Sequence, residues 1–390
     1  MIALLVNSLV GGGAERVVLT LFNEFRTQGI EVELILIEKE QFYDLPEGIQ
    51  ISYLTEKKSI KGNFSKGLNV YTAANKLKEI VEKRNISVVQ SHLVRASYIN
   101  ILAKMFGARH KVQVVNHGLI SYSKSRGIRG RANIVLSRMV YNHADSIVSI
   151  SKVMRMELQK LFNIKGPEKH VMIYNPHNID NILSRSYEEP TFAFDPEKKY
   201  LITVGRLVDF KRLDVIIRSF REVKEVFPML ELLIIGDGEE RSTLENLTQT
   251  LQIGPYVHFL GYQKNPFSLM ARSDLYVMAS EMEGLPNILI EAMICGIPVI
   301  ASDCQSGPRE LLQPGEEIYP QDLEDIELGD NGILYPVGRQ QLLTKALKLL
   351  LTDEALKDKY IKAGRKRAEE FRPTYIIPKY LRQLNVPHKA

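Results

Sequence analysis

At 390 residues, 45% apolar and 25% charged, the chain has the make-up of a soluble globular protein with two domains and substantial cores. The apolar start MIALLVNSLV is too short to span a bilayer and lacks a signal peptide's basic leader and cleavage site. No other stretch reaches spanning length, and two cysteines (Cys295 and Cys304) do not indicate a disulfide framework and suit a reducing cytoplasm.

No Cys/His cluster has zinc-ligand spacing. Net charge is +5, but residues 1–185 carry 26 Lys+Arg against 15 Asp+Glu and the remainder 25 against 31. A basic first half beside an acidic second half predicts that one half meets an anionic partner.

Ile2 to Val6 reads as a central parallel strand. It runs into NSLVGGGAERVVLTL, where Gly11, Gly12 and Gly13 let backbone approach a ligand before an amphipathic helix starts. No Gly-Lys-Ser/Thr follows, so this is no P-loop, and the spacing is not the dinucleotide fingerprint. Further strands are expected over Val32–Ile37, Ile51–Leu54, Ile86–Gln90 and Val112–Asn116. The last two end at Ser91-His92 and at His117-Gly118; His92 reads as structural or peripheral. Two basic groups stand out, Lys57, Lys58, Lys61 and Lys66, then Lys124, Arg126, Arg129 and Arg131, with Arg138 beyond them. A strand over Ser146–Ser151 and another over Val171–Tyr174 lead to NPHNID, and the hinge is placed between Asn175 and Pro196.

The second half opens with a strand at Tyr200–Val204 and then GRLVDFKRL, which puts Arg206 and Lys211 on the loop beyond it. Their charges are suited to clamping a diphosphate. Strands at Leu230–Ile235 and Val257–Leu260 follow, and then DLYVMASEMEGLPNILIEAMICGIPVIAS reads as strand, loop, helix, strand. Pro286 opens that helix and Gly296 stops it. Backbone amides near Gly284 and Leu285 would attract an anion at the carboxyl end of the strand, where open α/β sheets bind ligands. Glu283 would then be free for a sugar's hydroxyls and Glu291 for those of a ribose; the plainer alternative is that both only complement the helix dipole. Residues 315–330 read as an acidic surface loop, and Phe371–Leu384 as a final helix.

The Glu-x7-Glu string SEMEGLPNILIEAMICGIPVIAS resembles the donor-site signature of retaining glycosyltransferases of the GT-B fold, family 4. The combination of GGGAER, EGLPNILIE and SGPREL most resembles the family's enzymes that extend polyprenyl-diphosphate oligosaccharides, including N-acetylgalactosaminyltransferases. The resemblance implies an α/β GT-B architecture of two Rossmann-like domains facing across a cleft. Residues 1–180 would bind acceptor, residues 181–370 the nucleotide sugar, and residues 371–390 would return to the first domain. It implies catalytic roles for His117 (in NHG), Arg206, Lys211 and Glu283, and donor binding by Gly12, Gly13, Gly284, Leu285, Pro286, Asn287 and Glu291. The donor would be a UDP-sugar used without metal or other cofactor, and the chain contains no D-x-D. Expected partners are that donor, a glycan or lipid-linked saccharide acceptor and, through the basic first half, an anionic membrane surface, with no nucleic acid. The expected location is the cytoplasm, peripherally on the inner face of the cell membrane. A GT-B UDP-sugar 2-epimerase and a non-catalytic GT-B partner subunit are the competing readings.

Overall fold

The computed structural model describes residues 1–10, 12–40, 49, 51–55, 63–121, 127–162, 164, 168–315 and 318–385; the side chains of 63–68, 127–129 and 131–132 fall outside it. Lys57, Lys58, Lys61, Lys124 and Arg126, the side chains of Lys66, Arg129 and Arg131, and Gly11 therefore lie outside the described residues. The chain divides into two compact units, Met1–His177 with Pro373–Ala390, and Asn178–Arg372.

In the first unit, short apolar runs form strands because a parallel sheet covered on both faces can be apolar throughout. In chain order its elements are β1 (Ile2–Val6), α1 (Gly13–Thr27), β2 (Val32–Leu36), β3 (Ile51–Tyr53), α2 (Asn63–Lys83) and β4 (Val88–His92). Then come α3 (Val94–Met105), β5 (Lys111–Asn116), α4 (Gly127–His143), β6 (Ser146–Ser149), α5 (Lys152–Phe162) and β7 (His170–Met172). The strand order is β3-β2-β1-β4-β5-β6-β7, all parallel. The order reverses between β1 and β4, which makes that the switch point of a doubly wound sheet. One face is sealed by Val89, Ala73, Ala74, Leu77 and Ile99 beneath α2 and α3. Strand β4 runs two residues further than the apolar run predicted, so His92 is its last residue rather than part of the following loop.

The second unit repeats the plan with α6 (Ile179–Ser186), β8 (Lys199–Val204), α7 (Leu213–Lys224), β9 (Leu230–Ile235), α8 (Arg241–Thr250) and β10 (Val257–Gly261). It continues through α9 (Phe267–Met270), β11 (Leu275–Met278), α10 (Asn287–Cys295), β12 (Val299–Ser302) and α11 (Pro308–Leu312). Strands β13 (Glu327–Leu328) and β14 (Ile333–Tyr335) and helices α12 (Gln340–Thr352) and α13 (Glu354–Ala368) complete it. The sheet order is β10-β9-β8-β11-β12-β14-β13, parallel except for the β13–β14 edge pair. Here the switch point falls between β8 and β11. Glu327, expected on an acidic surface loop, forms part of this edge and grips Arg309 through both carboxylate oxygens, at 3.1 and 2.7 Å.

Helix α14 (Pro373–Leu384) belongs with the first unit. Its Gln383 Nε2 donates to Ser146 Oγ at 2.9 Å and to the Glu168 carbonyl at 2.8 Å. Among the described residues, no helix is long and apolar enough to cross a membrane.

Candidate active site

At the switch point of the second unit a pocket opens between the carboxyl ends of β8 and β11. Thr203, Val204, Arg206 and Lys211 line one side, and Tyr276, Met278 and Ser280 the other. Its rim is fixed by backbone. Gly205 N donates to Ile235 O at 2.9 Å, Leu207 N to Asp237 O at 3.0 Å and Gly236 N to Gly261 O at 2.8 Å. A Cβ on Gly236, whose φ is +128°, would sit 1.8 Å from Gly205 O, so only glycine permits this approach. The loop that carries Arg206 is thus pinned while Arg206 itself is exposed.

Beyond it, a single 3-10 turn over Asp209–Lys211 ends at Arg212, which is left-handed at φ +49°. Such a conformation costs a non-glycine residue about 1–3 kcal/mol and persists where its surroundings over-determine it. Here Asp214 takes the guanidinium at 3.0 and 3.3 Å, Glu281 takes it at 2.5 Å, and Glu281 N donates to Phe210 O at 2.8 Å. The turn is therefore bound to the loop after β11, and this delivers Lys211 to Glu283. Lys211 Nζ lies 2.5 Å from Glu283 Oε1, with the two side chains 21% and 13% exposed. Ser280 Oγ donates to the same oxygen at 2.7 Å, and Ser302 Oγ holds the Ser280 carbonyl at 2.6 Å.

The start of α10 completes the constellation. Pro286 is its N-cap residue and makes no side-chain capping bond, and the positive end of a helix of this kind suits an anion. Ser306 Oγ donates to Gly284 O at 2.7 Å, and Gly307, at φ +93°, lies against Pro286. That second loop is braced by Arg309, buried and bidentate to Asp303. Glu291, in the second turn, is only 3% exposed. Burial, and then the charges of Glu283 and Glu291, push the Tyr276 hydroxyl above its ordinary range, so both carboxylates bear on this one ring in the pocket wall.

In the first unit, Gly12 sits so close to Glu15 that a Cβ would meet its carboxylate oxygen at 2.2 Å, closing the glycine turn onto its own helix. His117 follows β5 and is partly exposed, and its Nε2 lies 2.8 Å from His92 Nδ1. Burial lowers His117 to about 4 and His92 well below its ordinary value, so both rings are neutral near pH 7. Beside them Asn116 Nδ2 is buried with no partner among the described residues.

The structure thus gathers Arg206, Lys211, Glu283, Gly284, Leu285, Pro286, Asn287 and Glu291 at one sheet edge of the second unit, and Gly12, Gly13 and His117 at the corresponding edge of the first. Sequence reasoning missed Arg212, Tyr276 and Ser280 as organisers of the first group, and His92 as the partner of His117. Only the tripeptide Lys211-Arg212-Leu213 and the serine opening SEMEGL hinted at the former. Among the described residues, no group of three His, Cys, Asp or Glu could hold a metal ion.

Two doubly wound α/β units, with Arg206 and Lys211 lining a pocket at the switch point of the second, are the architecture of the GT-B glycosyltransferases. Residues 11–181 match Glycosyltransferase Family 4, and residues 185–367 match Glycosyl transferases group 1. An N-acetylgalactosamine-N,N'-diacetylbacillosaminyl-diphospho-undecaprenol 4-alpha-N-acetylgalactosaminyltransferase of Campylobacter jejuni is 30% identical over 95% of both chains. A second C. jejuni enzyme, a GalNAc-alpha-(1->4)-GalNAc-alpha-(1->3)-diNAcBac-PP-undecaprenol alpha-1,4-N-acetyl-D-galactosaminyltransferase, is 23% identical over 98% of this chain and 97% of its own. Among solved structures, Anabaena Alr3699/HepE in complex with UDP and glucose superposes with a TM-score of 0.75 at 18% identity, covering 99% of each chain. Sucrose-phosphate synthase of Thermosynechococcus elongatus gives 0.80 at 17%, covering 98% of each. The chain belongs to the group 1, family 4 glycosyltransferases.

Proposed function

We propose that the protein is a retaining glycosyltransferase moving a hexose or N-acetylhexosamine from a UDP-sugar to a polyprenyl-diphosphate-linked saccharide. The observation that carries this is the Lys211–Glu283–Ser280 constellation beside the start of α10. Cations and helix amides suit a diphosphate, and an adjacent, partly buried carboxylate suits sugar hydroxyls. The acceptor class is taken from the C. jejuni relatives, and UDP from the HepE complex.

On this reading Arg206, Lys211 and the amides of Gly284 to Asn287 hold the diphosphate and stabilise the charge it gains as the C1–O bond breaks. Glu283 holds the donor sugar, Glu291 the ribose, and His117 orients the sugar near C1, with Gly12 and Gly13 bringing backbone close. The acceptor hydroxyl forms its bond to C1 on the face the diphosphate leaves, and its proton passes to the departing phosphate oxygen. Retention follows from that geometry. Lys211, Arg206 and the helix dipole supply the positive charge that a divalent metal supplies elsewhere, so transfer proceeds without one. Acceptor binding falls to the basic first unit, which also meets the anionic inner face of the membrane peripherally from the cytoplasm. Exposed Val135, Leu136 and Arg138 on α4 suit that contact.

The test is incubation with UDP-galactose, UDP-GlcNAc and UDP-GalNAc and an undecaprenyl-diphosphate disaccharide. UDP release coupled to a longer lipid-linked product, α-linked by NMR, is expected; UDP-GlcNAc converted to its 2-epimer, or no turnover of any donor, would overturn it.

A further inference from the structure

Three polar side chains cross the core of the first unit's sheet, where apolar residues would pack without cost. Gln90 on β4 and Gln113 on β5 are register partners, as are Gln113 and Ser146 on β6. Gln90 and Gln113 are essentially unexposed, as is His92, two residues along β4 and so on the same face as Gln90. An unpaired amide in this setting would be strongly unfavourable. They are paired end to end. His92 Nε2 meets Gln90 Oε1 at 3.1 Å, Gln90 Nε2 donates to Gln113 Oε1, and Gln113 Nε2 donates to Ser146 Oγ at 3.1 Å. Gln383 of α14 closes the far end on the same hydroxyl. At the near end, His92 Nδ1 meets His117 Nε2 with the rings inclined at 35°. Immediately after His92 the chain turns into α3 through Leu93 at φ +72°, a strained conformation of the kind that clusters at functional sites.

We propose that His92 is a positioning residue that presents His117 to the substrate as a hydrogen-bond acceptor. The direction follows from the amides. Gln90 offers His92 a carbonyl oxygen, so the single proton of a neutral His92 sits on Nε2. Its Nδ1 then carries a lone pair and takes the Nε2 proton of His117. The remaining nitrogen of His117, Nδ1, is thereby an acceptor, fit for a sugar hydroxyl and unable to donate. This choice of tautomer is made by side chains in the sheet, not by the ligand, and is in place before substrate arrives. The substrate half of the inference rests on the proposed role of His117.

The test uses full-length protein with 15N-labelled histidine, free of ligand, at pH 7.5. Two-bond proton–nitrogen correlations distinguish protonated from unprotonated ring nitrogens, and the His117 signals are those lost in His117→Gln. The expected result is a protonated Nε2 and an unprotonated Nδ1 at His117. The opposite tautomer, or an imidazolium, overturns the inference whatever the protein transfers. In Gln90→Leu the His117 pattern should change and kcat should fall on the order of 10-fold, as for other partners that orient a ligand group, while the UDP-sugar KM stays within about twofold. An unchanged His117 pattern in that variant also overturns the inference. If the tautomer is as expected but His117→Gln retains full kcat, it is the role assigned to His117 that fails.

Discussion

Gly307 offers a direct way to disturb the donor pocket without touching a charged group. Its φ of +93° already penalises any side chain, and an added Cβ would lie 2.3 Å from Pro286 Cδ and 2.9 Å from Gly284 O. The backbone penalty is about 1–2 kcal/mol, and forced overlap in a packed site adds about 1–3 kcal/mol. Gly307→Ala should therefore lose about 2–5 kcal/mol if the loop stays in place. If the loop yields instead, the Ser306 bond to Gly284 and the start of α10 move with it. Two controls separate the contributions. Gly338 has φ +73° with nothing within 4 Å of its added Cβ, and Gly315 meets nothing and has no positive φ. In a unit of this size 1 kcal/mol moves Tm by about 2–4 °C, so Gly338→Ala should drop by a few degrees and Gly315→Ala hardly at all. Gly307→Ala should lose markedly more than Gly338→Ala, or bind UDP at least about tenfold more weakly by calorimetry. A Gly307→Ala protein that melts with Gly338→Ala and binds UDP like the parent would refute the reasoning.

Glu283→Ala should cost on the order of 10²-fold or more in kcat/KM. Because it strands Lys211, the Glu283→Ala/Lys211→Ala double variant should lose less than the sum of the singles, which a double-mutant cycle on kcat/KM would measure. Transfer should survive EDTA; activity abolished by chelation and restored by Mg²⁺ or Mn²⁺ would end the metal-free reading. Burial also lowers His110 and His170 to about 4, beside His117. The unfolded chain takes up these protons near pH 6.5 and the folded one only near 4. Stability is therefore full above 6.5 and falls as pH drops toward 4, by up to about 1.4 kcal/mol per pH unit for each histidine. Tm measured from pH 8 to 4.5 should hold and then descend below 6.5, more gently in His170→Asn.

The doubly wound plan was legible because apolar runs of strand length alternate with amphipathic stretches, as at Leu230–Ile235 followed by α8. The helix start at Pro286 and its stop at Gly296, which is left-handed at φ +77°, were legible for reasons of backbone chemistry. Register was not. Hydropathy ends the fourth strand at Gln90, since serine and histidine look like loop, yet β4 runs on to His92, which pairs with Val115 across the ladder. Likewise the pairing partners of Glu281 and Glu283 cannot be read from SEMEGL. The Glu-x7-Glu spacing singles out Glu283, but only tertiary structure gives Glu281 to Arg212 and Glu283 to Lys211. The left-handed residue that makes this division possible, Arg212, carries no mark in its sequence.

The return of α14 to the first unit has a consequence for biosynthesis. Residues 178–372 are inserted into a unit whose sheet lies entirely before them and whose final helix lies after them. During translation the sheet of the first unit is complete by Met172, yet Ser146 and the Glu168 carbonyl wait for Gln383, 211 residues later. At about 5–20 residues per second this is a delay of roughly 10–40 s. Throughout it, the face that α14 will cover stays open on the ribosome, and the second unit has the whole of its sequence available first. The half that emerges first is thus the last to be finished.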